Sequence, residues 1–264
     1  MNEPIFANDR WMIRVVVDDP MYFYVDGPYD NVDDGLLESF FNWDLYDIIY
    51  LFGDYAGLPQ KLADKIVIKQ SSHKNDSSFA CFYHILDHLN PTKNIKDCSL
   101  SVSFQGSITT NPIRPKILEA LKEFDSFHFE PTKFWATLGL EEKARLRQSY
   151  LHIINDSKFV MCPRGVGLNS IRFFETLRMG RIPILIADDT KLPLDWTIKY
   201  ENFIVRVPEN DILKSHDYVK EWLSSHSLEK ASAEARQFSL TYFEDFPKFT
   251  QLVVNQHGKK VSDL

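Results

Sequence analysis

The chain of 264 residues is poor in cysteine, with only Cys81, Cys98 and Cys162. An odd, low count without a CxxC pair excludes a disulfide framework and a Cys-based zinc module, and it predicts a reducing compartment. Long apolar runs are missing too. A run such as Ile48-Ile49-Tyr50-Leu51-Phe52 is far short of the ~20 residues a bilayer requires. Met1-Asn2-Glu3-Pro4 carries acid instead of a basic leader, so no signal peptide is visible and a cytoplasmic location is expected. Positive charge is not in surplus: 30 Lys and Arg face 37 Asp and Glu, for a net charge of -7. That balance argues against a protein that works on nucleic-acid phosphate. No G-x-S-x-G, Walker or H-E-x-x-H motif occurs, which removes common hydrolase, NTPase and zinc-protease readings.

What is present is ordinary globular material: 44% apolar, 25% charged and 14% aromatic residues. Apolar runs rich in Val, Ile, Tyr and Phe alternate with helical patterns, which predicts an α/β fold with parallel sheets covered on both faces. Strands are expected at Trp11–Val17, Met21–Val25, Tyr46–Phe52, Lys65–Lys69, Leu100–Phe104, Phe127–Phe129, Lys158–Cys162, Ile182–Ala187 and Phe203–Val207. Helices are expected at Ser78–Leu89, Pro115–Phe124, Glu141–Asn155, Ser170–Met179, Asp217–Ser224, Ser227–Phe238 and Tyr242–Val254. The pattern breaks near Asn90–Asp97, which suggests two α/β units, residues 1–95 and 96–240, with a last helix within 241–264 free to pack on either. Two such units would face each other across a cleft, with ligands beyond the carboxyl ends of the strands.

The segment Ser157–Asp189 carries the chemistry. A buried strand ends at Pro163, and Arg164-Gly165-Val166-Gly167 forms a tight loop whose glycines permit positive φ and close backbone approach. Asn169 or Ser170 is placed to cap the next helix, and Gly180 suits its end. A glycine loop joining a strand end to a helix N-terminus is an anion site, and the Arg164 guanidinium can grip a diphosphate through two parallel bonds. Arg172 and Glu175 lie three apart on one side of that helix, with Ile171, Phe174 and Leu177 on the buried side. The pair reads either as a solvated ion pair or as a ribose-binding Glu175 oriented by Arg172. Gly165-Val-Gly-Leu-Asn-Ser170 also approaches a dinucleotide fingerprint, with Asp188 or Asp189 in the ribose position, but that leaves Arg164 and Glu175 without a role.

The run Ser157-Lys-Phe-Val-Met-Cys-Pro-Arg-Gly165, followed by Ser170, Arg172, Phe174-Glu175, Leu177, Gly180, Ile182-Pro183-Ile184 and Pro193, resembles the exostosin family, glycosyltransferase family 47. Upstream, Phe104-Gln105-Gly106 with Arg114 and Leu118 resembles a second family region, with Gln105 where the family often has Arg. The resemblance spans about Leu100–Val207. It implies a GT-B-like fold of two Rossmann-like parallel-sheet halves facing across a cleft, and an inverting, metal-independent glycosyltransferase. A nucleotide-sugar donor, such as UDP-xylose, UDP-glucuronate or UDP-galactose, would give its sugar to a glycan hydroxyl. No D-x-D triplet occurs, and Gly167 stands eight residues before Glu175, so two other metal-dependent or retaining patterns are missing. The implied donor contacts are Arg114, Arg164, Gly165, Gly167, Ser170, Arg172 and Glu175, with no cofactor and no metal. Candidates for the base in the first unit are Asp54, then Asp26, His73 and Asp76. Family members usually carry a membrane anchor, which is not visible here. The alternatives are a catalytically silent glycan-binding protein of the same fold and, less favoured, an NAD-linked oxidoreductase. His84 and His88 at helical spacing, and Asp30, Asp33 and Asp34 in an acidic turn, lack the further ligands that zinc or calcium sites need.

Overall fold

The computed structural model describes residues 7–8, 11–16, 48–51, 66–82, 89–134, 138–243 and 246–262. Two sheets organise it. The first has the order β1-β2-β3-β4-β5, from β1 (Ala7–Asn8), β2 (Trp11–Val16), β3 (Ile48–Leu51), β4 (Ile66–Lys69) and β5 (Phe79–Ala80). Its β1–β2 pair is antiparallel and the rest is parallel. The second, entirely parallel, has the order β10-β9-β8-β6-β7. Its strands are β6 (Leu100–Ser107), β7 (Phe127–Thr132), β8 (Ser157–Pro163), β9 (Ile182–Ile186) and β10 (Val205–Arg206). The α/β class with two largely parallel sheets is therefore the one expected of the sequence.

The second sheet carries helices α1 (Ile117–Leu121), α2 (Leu140–Asn155), α3 (Ile171–Arg178), α4 (Ser215–Ser225) and α5 (Leu228–Tyr242), and the described chain closes with α6 (Phe246–Ser262). β9 is buried at all five positions. A strand covered on both faces has no polar side to alternate with, which is why Ile-Pro-Ile-Leu-Ile reads as one apolar run. The core continues through a ring cluster in which Tyr200, Phe203, Phe238 and Phe243 meet at centroid distances of 5.3–5.7 Å. Phe249 of α6 lies 4.6 Å from Phe82, just past β5, and Phe243 lies at the same distance from Phe82.

Three expectations about elements change. Ser78–Leu89 does not start as a helix: Phe79–Ala80 is β5, with Ile68 opposite Phe79 and Lys69 opposite Ala80. Phe79, Ala80, Cys81 and Phe82 are all buried, so the segment has no polar helical face to offer solvent. Strand Phe203–Val207 shortens to Val205–Arg206, and Tyr242 belongs to α5 while the last helix begins at Phe246. The expected strand Met21–Val25 lies outside the described residues. Among the described residues no helix is long and apolar enough to cross a membrane.

Candidate functional site

The glycine loop is shaped from below. Arg114, buried just after β6, donates from Nε to the Arg164 carbonyl (2.8 Å), from Nη1 to that of Ser107 (2.8 Å) and from Nη2 to that of Pro163 (3.1 Å). Asn111 Nδ2 donates to the Gly165 carbonyl at 3.2 Å. Arg114, expected at the diphosphate, thus acts on the main chain of the loop that would hold it. A Cβ on Gly165 would sit 3.2 Å from Arg114 Nη2, so the glycine makes room for that guanidinium. The positive φ expected of Gly165 and Gly167 is absent; among the described glycines it occurs at Gly106 and Gly180. Gly165 is needed for space, not for a left-handed turn.

Arg164 leaves β8 with its N–H bonded to the Ile186 carbonyl (3.0 Å). Its half-buried side chain places Nε 3.3 Å from Glu209 Oε1. Glu209 is held by a reciprocal pair with Asp188, whose N–H donates to Glu209 Oε1 (3.2 Å) while Asp188 Oδ1 accepts from the Glu209 N–H (3.0 Å). Ser170 occupies the N-cap position of α3 with extended backbone, yet its hydroxyl makes no capping bond. Asn169 Oδ1 instead accepts from the Ser170 N–H at 2.9 Å. The Phe173 N–H bonds back to the Ser170 carbonyl (3.0 Å), which leaves the Ser170 hydroxyl and the N–H groups of Ile171 and Arg172 at the end where the helix dipole favours an anion.

Arg172 and Glu175 are not a solvated pair. Arg172 is 7% exposed, and its Nη2 donates to the Gln105 carbonyl at 2.7 Å. Its guanidinium lies 4.5 Å over the Phe104 ring. A Cβ on Gly106 would come within 2.2 Å of Arg172 Nη2, so this glycine exists to let the arginine reach the strand end. Glu175, 2% exposed, accepts from Arg147 Nη1 (2.5 Å) and from the Tyr150 hydroxyl (2.5 Å), both on α2. Burial first, and then the Glu175 charge, hold the Tyr150 phenol well above its usual range. Ile171, expected on the buried side, is exposed instead. The rest of α3 is buried all round because sheet, α2 and α5 enclose it. Buried polar atoms gather at the same strand ends without protein partners: both amide atoms of Gln105, Asn169 Nδ2, Thr110 Oγ1, and Nε and Nη1 of Arg172. Buried groups of this kind are usually completed by water or ligand.

The first sheet enters through the segment after β4. His73 forms an antiparallel bridge with Thr190; the Lys74 N–H donates to the Asp189 carbonyl and the Lys191 N–H to that of Ser72, both at 2.9 Å. The Leu168 N–H donates to Ser71 Oγ at 2.9 Å. The carboxyl end of β4 therefore meets those of β8 and β9. Asp76 is the hub of this junction. It accepts from Ser78 Oγ (2.5 Å), the Ser78 N–H (3.0 Å), Ser72 Oγ and the His73 N–H (both 3.2 Å), and it lies 3.5 Å from buried Lys69 Nζ. Burial draws the Lys69 ammonium below its usual range, and Asp76 opposes that. Lys191 Nζ donates to the carbonyls of Asp76 (2.6 Å) and Ser78 (2.8 Å). His73 Nδ1 accepts from the Asn75 N–H (3.0 Å), and its Nε2 stands 3.8 Å from Asp189 Oδ1. Asp189 itself pairs with Lys74 at 3.0 Å.

Asp26 and Asp54 lie outside the described residues, as do His84, His88, Asp30, Asp33 and Asp34. Among the described residues no group of three His, Cys, Asp or Glu could hold a metal ion. Cys162 is a packing residue whose thiol burial pushes up to about 12. Lys69, Arg147, Tyr150, Lys191 and Glu209 escaped the sequence reading. Arg147 and Tyr150 alone left a trace, being three apart and hence on one face of a helix.

Residues 62–222 match the model of the exostosin GT47 domain. Over 115 residues the chain is 32% identical to an exostosin-1 homolog of Caenorhabditis elegans, covering 44% of this chain and 28% of that protein. Over 93 residues it is 29% identical to a probable glucuronoxylan glucuronosyltransferase of Arabidopsis thaliana, covering 34% of this chain and 21% of that protein. The chain thus matches less than a third of the length of either relative. The crystal structure of TarM aligns over 84% of this chain and 46% of its own, with a TM-score of 0.47 and 11% identity. Since the domain model spans more than half of its residues, the chain belongs to the exostosin GT47 domain family.

Proposed function

We propose that this chain is a glycosyltransferase that moves a sugar from a nucleotide-sugar donor, a UDP-sugar, to a hydroxyl of a glycan, with inversion and without an essential metal. The observation that carries the reading is the strand-end loop 164–170. Arg114 and Asn111 fix its main chain, while the Ser170 hydroxyl makes no capping bond and the first turn of α3 spends only the Phe173 N–H, on the Ser170 carbonyl. That hydroxyl and the remaining N–H groups are the donors a departing diphosphate needs, gathered in one place before the reaction starts. In the transfer, the acceptor oxygen attacks C1 of the donor sugar and a base takes the hydroxyl proton. The bond from C1 to the β-phosphate oxygen breaks, and its electron pair leaves with the diphosphate.

Glu175 serves the ribose in this reading, its carboxylate held in place by Arg147 on one oxygen and Tyr150 on the other. Arg172 positions the β6 strand end against α3. Asp76 is committed to the junction and the Nδ1 lone pair of His73 is taken, so the base role falls to Asp54, with Asp26 second. The test is transfer, or donor hydrolysis, from a panel of UDP-sugars, with and without EDTA. Release of UDP that survives EDTA is expected. UDP binding without turnover on any donor would instead favour the catalytically silent glycan-binding protein, and a response to NAD alone would favour the oxidoreductase.

A further inference from the structure

An open concavity of about 390 Å³ lies beside the edge strand β10, and its walls include Asp195, Tyr200, Glu201, Arg206, Trp222 and His226. None of these belongs to the loop or to the junction. Its position follows from the topology. Glu209, just past the carboxyl end of β10, is 3.3 Å from Arg164, and α4 starts soon after, at Ser215. An 11-residue helix runs back about 16 Å, so Trp222 and His226 reach the opposite end of the sheet.

The walls are built rather than incidental. Trp222 Nε1 donates to the Glu201 carbonyl at 2.9 Å, which ties α4 to the segment before β10. The Trp222 and His226 rings stack at 4.5 Å, within 2° of parallel. His226 Nδ1 lies 2.9 Å from the Trp222 carbonyl. Ser225 Oγ lies 2.9 Å from the same nitrogen, so two contacts at the end of α4 hold the imidazole in place. The cavity thus combines the half-buried His226 ring, stacked on buried Trp222, with a guanidinium that donates and two exposed carboxylates that accept.

We infer that this cavity is a binding site for an uncharged stretch of oligosaccharide, remote from the point of transfer. Paired donors and acceptors beside the His226 ring suit vicinal hydroxyls and the apolar face of a pyranose. Asp195 and Glu201 against Arg206 disfavour a uronate, and Arg206 disfavours a cation. A sugar here cannot be the reacting one; it is a distal unit of a longer chain. The inference rests on the glycan-handling reading above.

The test titrates the protein, with and without saturating UDP, with maltohexaose, cellohexaose and xylohexaose, and with hexagalacturonate as the acidic arm, by calorimetry and tryptophan fluorescence. At least one neutral hexasaccharide is expected to bind, and His226→Ala and Arg206→Gln are each expected to weaken it tenfold or more while UDP binding is unchanged. Glu201→Gln, at an exposed position, gives a third variant should either of the others lose its fold. No binding of any neutral chain, undiminished binding in all three variants, or tighter binding of hexagalacturonate overturns the site. Hexasaccharide binding in a protein that ignores UDP would sink the donor reading and leave this one standing.

Discussion

Ser170 separates two jobs that one residue often combines. At an N-cap a serine is normally worth about 0.5–2 kcal/mol to its helix, but here the hydroxyl makes no capping bond. Ser170→Ala is therefore expected to leave the melting temperature within a degree or two and to cut the UDP-induced rise in melting temperature, both read in one thermal-shift series. Equal loss with and without UDP would return the residue to a purely structural role. Glu175→Gln has the opposite profile. It removes a buried carboxylate that takes charge-assisted bonds from Arg147 and Tyr150, and should cost about 1–3 kcal/mol in denaturant unfolding before any ligand is added. Such partners were invisible in the sequence because a charged pair three apart on a helix looks solvated. Only the enclosure of α3 makes Arg172 and Glu175 interior residues.

At the level of elements, α3 and its flanking strands were legible because every device there is local. A buried strand, a proline end, a glycine loop and a glycine stop fall within one continuous segment. The helix ends on Gly180 with φ of 61°, and the bonds Gly180 N–H to Leu177 carbonyl and Arg181 N–H to Thr176 carbonyl close a Schellman turn. Gly180→Ala is expected to destabilise by about 1 kcal/mol or more, as measured by urea unfolding, while leaving UDP affinity unchanged. The segment Ser78–Phe82 was misread because an apolar run at a sheet edge carries no period that distinguishes strand from helix. A pH effect belongs to Asp156, which stands between α2 and β8 and holds the segment preceding β6. Burial acts to raise the Asp156 carboxyl, but hydrogen bonds from Lys93 and Ser99 outweigh it and bring it down to about 2. A depressed native value means the contribution is complete above the ordinary carboxylate range and is lost as pH falls from about 4 toward 2. Asp156→Asn should flatten the acid limb of a stability–pH curve in that window, and an unchanged limb would contradict the assignment.

The molecule as a whole is joined where the strand ends of the two sheets meet, and this junction depends on pairs that no local pattern announces. Lys191 and Ser78 are 113 positions apart in sequence, yet the lysine bonds the main chain there and at Asp76. Lys191→Met keeps the length of the side chain and strands both carbonyls, at a cost of about 1–3 kcal/mol. For a domain of this size that lowers the melting temperature by several degrees, roughly 2–4 °C per kcal/mol. The parallel α/β class was readable from alternation alone. The meeting of β4 with β8 and β9 was not, since it rests on backbone bonds between loops.

Loop 164–170 and the start of α3 are proposed to bind a nucleoside diphosphate, and calorimetric titration of UDP into the native chain and into Arg164→Ala decides whether they do. One site per chain is expected in the native protein, with affinity at least tenfold lower in the variant and the fold intact. Equal UDP affinity in the two proteins, or none in either, would overturn the proposal.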